Sequence, residues 1–271
     1  MSRFPIIRSA ATSAGSSVSS RTATPSRFEV GDLLVAVFSC RADGKTLEEP
    51  SDWTEIREWQ SNNGWMNTGF YYKFADGSDS FTFSINSGTS HLTLSVCAVG
   101  NVDPHVGVVG FGTRVNNGNS TVRGRPVDSV YENTMAITVG SMRGDCDHEW
   151  QGGTFITGGG GSAAGESENT MVYTLAPGRT RHPALTATES SDERGMFQGT
   201  IVIAPKQKRS VQRIEVKNPE VGRPGLRFNP SDPINRDIMA WHPMNEGAGQ
   251  RQQQVCSQGK GRSNALAMRD L

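Results

Sequence analysis

The chain has 271 residues with 27 Lys+Arg against 27 Asp+Glu, so its formal net charge is zero and it is no uniformly basic nucleic-acid binder. No apolar run is long enough to cross a bilayer as a helix, and membrane insertion is not expected. Thirty-one glycines among many Ser, Thr and Asn residues, with no long helical periodicity, point to short strands joined by turns.

Charge is unevenly distributed. From Lys206 onward there are twelve Lys/Arg against six Asp/Glu, leaving 15 against 21 in residues 1–205. A basic tail on an acidic body predicts that the tail lies on an acidic surface such as a neighbouring subunit. The tail's positive charges are interleaved with acids, which argues against nucleic acid as a partner. The N-terminal MSRFPIIRSAATSAG lacks an apolar core of signal-peptide length, so synthesis in a cytoplasm without general secretion is expected. Cys40, Cys97, Cys146 and Cys256 lie far apart with no CxxC pair, and the first two sit in apolar strands as small buried thiols.

In chain order, Phe4–Ile7 is a short apolar strand, and Ser9–Ser26 is an extended edge or loop. Gly31–Arg41 (GDLLVAVFSCR) is the organising element. Its eight uncharged residues Leu33–Cys40 place Leu33, Val35 and Val37 on one face and Leu34, Ala36, Phe38 and Cys40 on the other. A strand apolar on both faces must be central and covered on each side. Pro50–Trp53 turns into a strand through Ile56. Phe70, Tyr72 and Phe74 alternate with Tyr71 and Lys73, and Ala75–Asp79 (ADGSD) forms a turn. Phe81, Phe83 and Ile85, then Leu92, Leu94, Val96 and Ala98, mark half-buried strands.

The second hundred residues repeat the first. Met135–Ser141 aligns with Leu33–Ser39 at an offset of 102, Trp150 answers Trp53, Met171–Leu175 answers the aromatic strand, and Thr200–Ala204 answers Leu94–Ala98. The glycine-rich TGGGGSAAGES between Ile156 and Ser167 reads as a flexible surface loop. The expected fold is all-β: a jelly-roll-like, two-sheet β-sandwich of two related halves (1–103 and 104–205), with a shared core preferred to two small separate sandwiches because each half is only weakly hydrophobic. A linker (206–228) and an extended C-terminal arm (229–271) follow.

The order of GDLLVAV, PSDW, YYKFADG and AVGNVDP over residues 5–205 resembles a β-sandwich module of tailed-bacteriophage structural proteins. That resemblance implies a virion part and supplies no catalytic residues. The segment DPINRDIMAWHPMNEGAG with CSQGKGRSNA, within 229–268, is similar to the opening of the concanavalin A-like (laminin-G-like) jelly rolls attached to many phage proteins. Only about forty residues match and the chain stops at Leu271, so sugar binding is not carried over. An arm pairing its strand around Ile238–Trp241 with a neighbour is expected instead. Its apolar cluster, Ile234, Ile238, Met239, Trp241 and Met244, is the candidate interface.

Catalytic and metal readings are weaker than their structural alternatives. GDCDHEW gathers Asp145, Cys146, Asp147, His148 and Glu149, but neighbouring residues point apart and no second ligand cluster accompanies them. Asp76 and Asp79 are explained by a hairpin turn. His91, His105, His148, His182 and His242 are scattered, and no G-x-S-x-G elbow exists. The GGGGS run lacks the Lys of a phosphate loop. Trp53, Trp59 and Trp65 are read as packing residues in preference to a sugar-stacking surface. No metal, cofactor or catalytic residue is assigned. The expectation is a non-enzymatic virion component: a capsid decoration (cement) protein, or a tail fibre or adaptor. Its partners would be copies of itself, in trimers at three-fold positions, and capsid or tail proteins. A carbohydrate-binding, host-recognising tail protein with a surface-glycan partner is the alternative.

Overall fold

The computed structural model describes residues 3–41, 45–60, 66–116, 121–143, 148–160, 167–189, 196–207, 255–258 and 262–265. The chain divides into two units, Met1–Ser210 and Val211–Leu271. The described residues contain strands, turns and no helix.

In the first half of the larger unit the strands are β1 (Ile6–Val18), β2 (Ser20–Thr22), β3 (Leu33–Arg41), β4 (Leu47–Glu48), β5 (Thr54–Gln60), β6 (Met66–Phe74), β7 (Thr82–Ile85) and β8 (Ser90–Gly100). The second half contributes β9 (Val108–Asn116), β10 (Thr121–Arg123), β11 (Val127–Asp128), β12 (Thr134–Arg143) and β13 (His148–Gln151). After these come β14 (Thr154–Gly160), β15 (Ser167–Ala176), β16 (Arg181–His182), β17 (Thr186–Glu189) and β18 (Met196–Ile203).

Two five-stranded antiparallel sheets result, ordered β1-β8-β3-β6-β5 and β9-β18-β12-β15-β14, with smaller sheets β2-β7-β4, β10-β17-β13 and β11-β16 beside them. Strand for strand, the two large sheets have the same order. β3 and β12, 102 residues apart, are the two central strands. The residues that open them also correspond. Gly31 (φ 90°) and Asn133 (φ 55°) both take the left-handed conformation, which Gly and Asn adopt with least strain.

The inner faces of the large sheets meet in one core. Leu33, Val35 and Val37 of β3 pack there with Phe70, Met135, Ile137, Val139, Phe197 and Ile201. The other face of β3 carries Leu34, Ala36, Phe38 and Cys40 into a second core, closed by Leu47 of β4 and Phe83 and Ile85 of β7. In the second half, Val122, Met142 and Ala187 form the matching outer cluster with Trp150 against it. The body is therefore a sandwich of two large sheets with a small sheet laid on each outer side. Leu33–Cys40 are all buried, as a central strand apolar on both faces requires. Each large apolar side chain there contributes roughly 1.5–3 kcal/mol by leaving water. At Gly199 a Cβ would lie 2.5 Å from the Phe70 ring, so glycine is what lets the sheets approach.

Four features differ from the sequence reading. The small outer sheets add layers that a two-sheet sandwich lacks; strands as short as Leu47–Glu48 leave almost no periodic signal. The glycine run is not wholly a loop. Thr157–Gly160 belong to β14 and pair with Met171–Glu168 of β15, where a Cβ on Gly158 would come within 2.8 Å of Thr170. Trp150 does not take the place of Trp53: it lies on β13 of a small sheet, whereas Trp53 directly precedes β5. Finally, Val99 and Ile203 both sit on the central-strand partners Leu33 and Met135. The true offset of β18 from β8 is thus 104, two less than the sequence alignment implies. A slip of two preserves the in-and-out alternation, so the pattern alone does not detect it.

In the Val211–Leu271 unit, β19 (Val255–Gln258) and β20 (Arg262–Ala265) form an antiparallel pair. The expected arm strand around Ile238–Trp241 and the interface residues Ile234, Ile238, Met239, Trp241 and Met244 lie outside the described residues.

Candidate functional site

The densest polar constellation of the body lies between the two large sheets. Ser39 Oγ is 2.7 Å from Ser141 Oγ and 3.2 Å from Thr68 Oγ1, and it donates to Asn169 Oδ1 at 2.8 Å. Thr68 and Ser141 are 3.1 Å apart, and Asn169 Nδ2 donates to the carbonyls of Val37 (3.2 Å) and Thr93 (3.1 Å). Thr93 Oγ1 also reaches Ser167. All six polar side chains are buried. A closed, mutually satisfied network of hydroxyls and an amide has no basic group to activate a nucleophile, and it serves to fix the register of the two sheets.

Lys73 is the second polar centre. It projects from the outer face of β6, its side chain 4 % exposed, and its ammonium contacts Asp52 and, at 2.7 Å, Asp79. The Asp79 carboxylate is fully enclosed. The ADGSD turn is built around this ion pair. Gly77 (φ 92°) donates its N–H to Asp79 at 3.2 Å, and the Ser78 backbone N–H and hydroxyl both donate to Asp76 at 2.8 Å. Those two bonds hold the Asp76 carboxyl below the usual carboxylate range. The enclosed Asp79 carboxylate thus has a lysine for a partner, which it shares with Asp52. Beside it, a recess of about 360 Å³ is lined by Asp52, Tyr72, Lys73, Asp76 and His105.

Among the described residues, His105 and His182 do not converge. His105 lines that recess, whereas His182 is buried on β16, its Nε2 2.8 Å from Thr134 Oγ1 and its Nδ1 3.3 Å from Thr174 Oγ1. Burial lowers the His182 pKa below its ordinary value of 6.5. Of GDCDHEW, His148 and Glu149 fall on β13, while Asp145, Cys146 and Asp147 lie outside the described residues, as do His242 and Trp65. Among the described residues no three His, Cys, Asp or Glu side chains are grouped to hold a metal ion. Cys40 and Cys97 are buried, and desolvation pushes the Cys97 thiol up to about 12, far from nucleophilic use at neutral pH.

Both described tryptophans of the sugar-stacking reading pack against aromatic rings of the body, Trp53 buried and Trp59 half-buried. Trp53 meets Phe81 and Phe83 edge-on, and its Nε1 donates to the Ser80 carbonyl at 2.9 Å. Trp59 stacks on Phe197, centroids 4.9 Å apart and planes at 24°. Packing is thus what these two rings do.

Sequence reasoning missed the Ser39–Thr68–Ser141–Asn169 network, although Ser39 and Ser141 already stood opposite each other in the 102-residue alignment. It also missed the burial of Lys73, which reads in sequence as the polar member of an alternating strand. Compared with family models, curated proteins and solved structures, the chain matches none.

Proposed function

We propose that this chain is a non-enzymatic structural component of the outer surface of a tailed-phage virion. It is a capsid decoration or cement protein, or a tail fibre or adaptor, with a jelly-roll-like body that assembles with copies of itself through its C-terminal arm. The observation that carries this reading is the use made of the chemically capable side chains. The hydroxyls, Asn169 and Lys73 are consumed in buried contacts that hold sheets and turns together. Trp53 and Trp59 likewise pack internally. A body arranged this way suits a load-carrying particle component. The phage-module resemblance of residues 5–205 supports the same assignment.

The test is truncation after Gln207, which keeps the hydrogen bond from the Lys206 N–H to the Asn101 carbonyl. The truncated body should remain folded by circular dichroism, self-associate more weakly than the full chain and lose virion attachment, measured by light scattering and particle co-sedimentation. A truncated body that assembles and attaches like the full chain contradicts the arm's role. Specific binding of the full chain on a glycan array would favour the host-recognition alternative.

A further inference from the structure

Three arginines surround one recess on the outer side of the second large sheet. Arg114 projects from β9, Arg123 ends β10, and Arg125 lies in the connection to β11; the recess measures about 390 Å³ and is walled by Gly124, Pro126 and Pro183. Among the described residues none of the three has a carboxylate partner, whereas Arg8 pairs with Glu29 and Asp32, and Arg181 with Asp128. The wall is fixed. The Gly124 N–H donates to the Leu185 carbonyl at 2.9 Å, and Gln198 Nε2 donates to the same oxygen at 3.1 Å. A Cβ on Gly124 would stand 2.8 Å from that Gln198 nitrogen. Two prolines remove further freedom. Three like charges at one concave wall attract carboxylates, which guanidinium groups bind in a fork geometry.

The complementary surface is on the other large sheet. Glu55 and Glu58 of β5 pair with Tyr71 and Gly69, which places them on the outer face, where the charge of Glu49 also reaches Glu58 and Tyr71; Glu48, the residue before it, ends β4. Burial holds the Glu58 carboxyl above its ordinary range; the Leu47 backbone partly opposes this, and the Glu55 and Glu49 charges add to it. The inner faces of the two large sheets share one core, so their outer faces point in opposite directions. The basic recess and the acidic rim of a single body therefore turn away from each other.

We propose that the Arg114–Arg123–Arg125 recess receives the Glu48–Glu49–Glu55 rim of a second copy of this chain. Two different patches meet, so the contact is heterologous and builds a ring or a chain of copies. It uses the Met1–Ser210 unit alone and does not rest on the virion reading.

Sedimentation velocity of the full chain tests it. Wild type should self-associate, more weakly as salt rises. Arg123→Glu with Arg125→Glu, and separately Glu48→Lys with Glu55→Lys, should each weaken self-association about tenfold or more. Each variant then carries two patches of one sign, so mixing the two should restore assembly. The neutral pair Arg123→Gln with Arg125→Gln repeats the loss if charge reversal disturbs folding, which thermal melting checks. A wild type that stays monomeric at low salt, or arginine variants that assemble like wild type, overturns the proposal. Loss in the arginine variant alone, with the glutamate variant unaffected, also overturns it and makes the occupant another anion, such as an acidic partner protein.

Discussion

Ser39 and Ser141 are 102 positions apart in the chain and 2.7 Å apart in space, hydroxyl to hydroxyl. They occupy the same place in β3 and β12, the central strands of two sheets with the same strand order. A residue that meets its own counterpart is the mark of a two-fold contact. The two halves pack as a pair of like subunits would, around a polar centre set in an apolar core.

That centre should behave as one unit. Ser39→Ala leaves Asn169 Oδ1 without its hydroxyl donor and should cost about 1–3 kcal/mol, as should Ser141→Ala. Because the two hydroxyls share one network, the double variant should cost less than the sum of the singles. Urea unfolding of the four proteins measures the coupling; strict additivity would show that the network is not cooperative.

Leu34→Asp and Val35→Asp place a carboxylate on opposite faces of β3, one in the outer core and one between the large sheets. Each should cost more than about 4 kcal/mol and prevent soluble folding. Soluble yield and thermal melting report the outcome, and an unchanged melt for either would remove β3 from its central position.

Lys73→Met should destabilise by about 3–5 kcal/mol, because the enclosed Asp79 carboxylate loses its counter-ion. Lys73→Met combined with Asp79→Asn should recover part of the loss. Chelation with EDTA should leave the melting temperature of the wild type unchanged, since the enclosed Asp79 carboxylate is already paired with Lys73. A drop in melting temperature on chelation would make this turn, or GDCDHEW, an ion site.

His182 predicts a pH dependence with a definite sign. Burial lowers its folded-state pKa below 6.5, so below that pH the unfolded chain binds a proton that the folded chain resists. The contribution is therefore fully present above pH 6.5 and is lost as pH falls toward the folded value. His182→Gln should flatten the fall in melting temperature between neutral and mildly acidic pH. An unaltered pH profile in that variant would assign the fall to other groups.

Much of the body was legible in the chain, for reasons that residues make plain. The eight uncharged residues Leu33–Cys40 leave neither face of the strand for water, and β3 is indeed covered on both. The repeat was visible because Met135–Ser141 keeps the same apolar alternation and the same closing serine. Short outer strands such as Leu47–Glu48 were not legible, because two residues carry no period. Nor was the inclusion of Thr157–Gly160 in β14: glycine signals a loop, and only the close approach of Thr170 shows why it is needed in a strand. The arginine recess was hidden because Arg114, Arg123 and Arg125 come from separate segments, and each alone reads as a solvated surface charge.

Immunogold labelling of purified virions with an antibody to this chain addresses the proposed role most directly. The account predicts gold on the outside of intact particles, in a repeating pattern over the capsid or at the tail. Particles that carry no label, with the protein found only in the soluble fraction of the infected host, would contradict it.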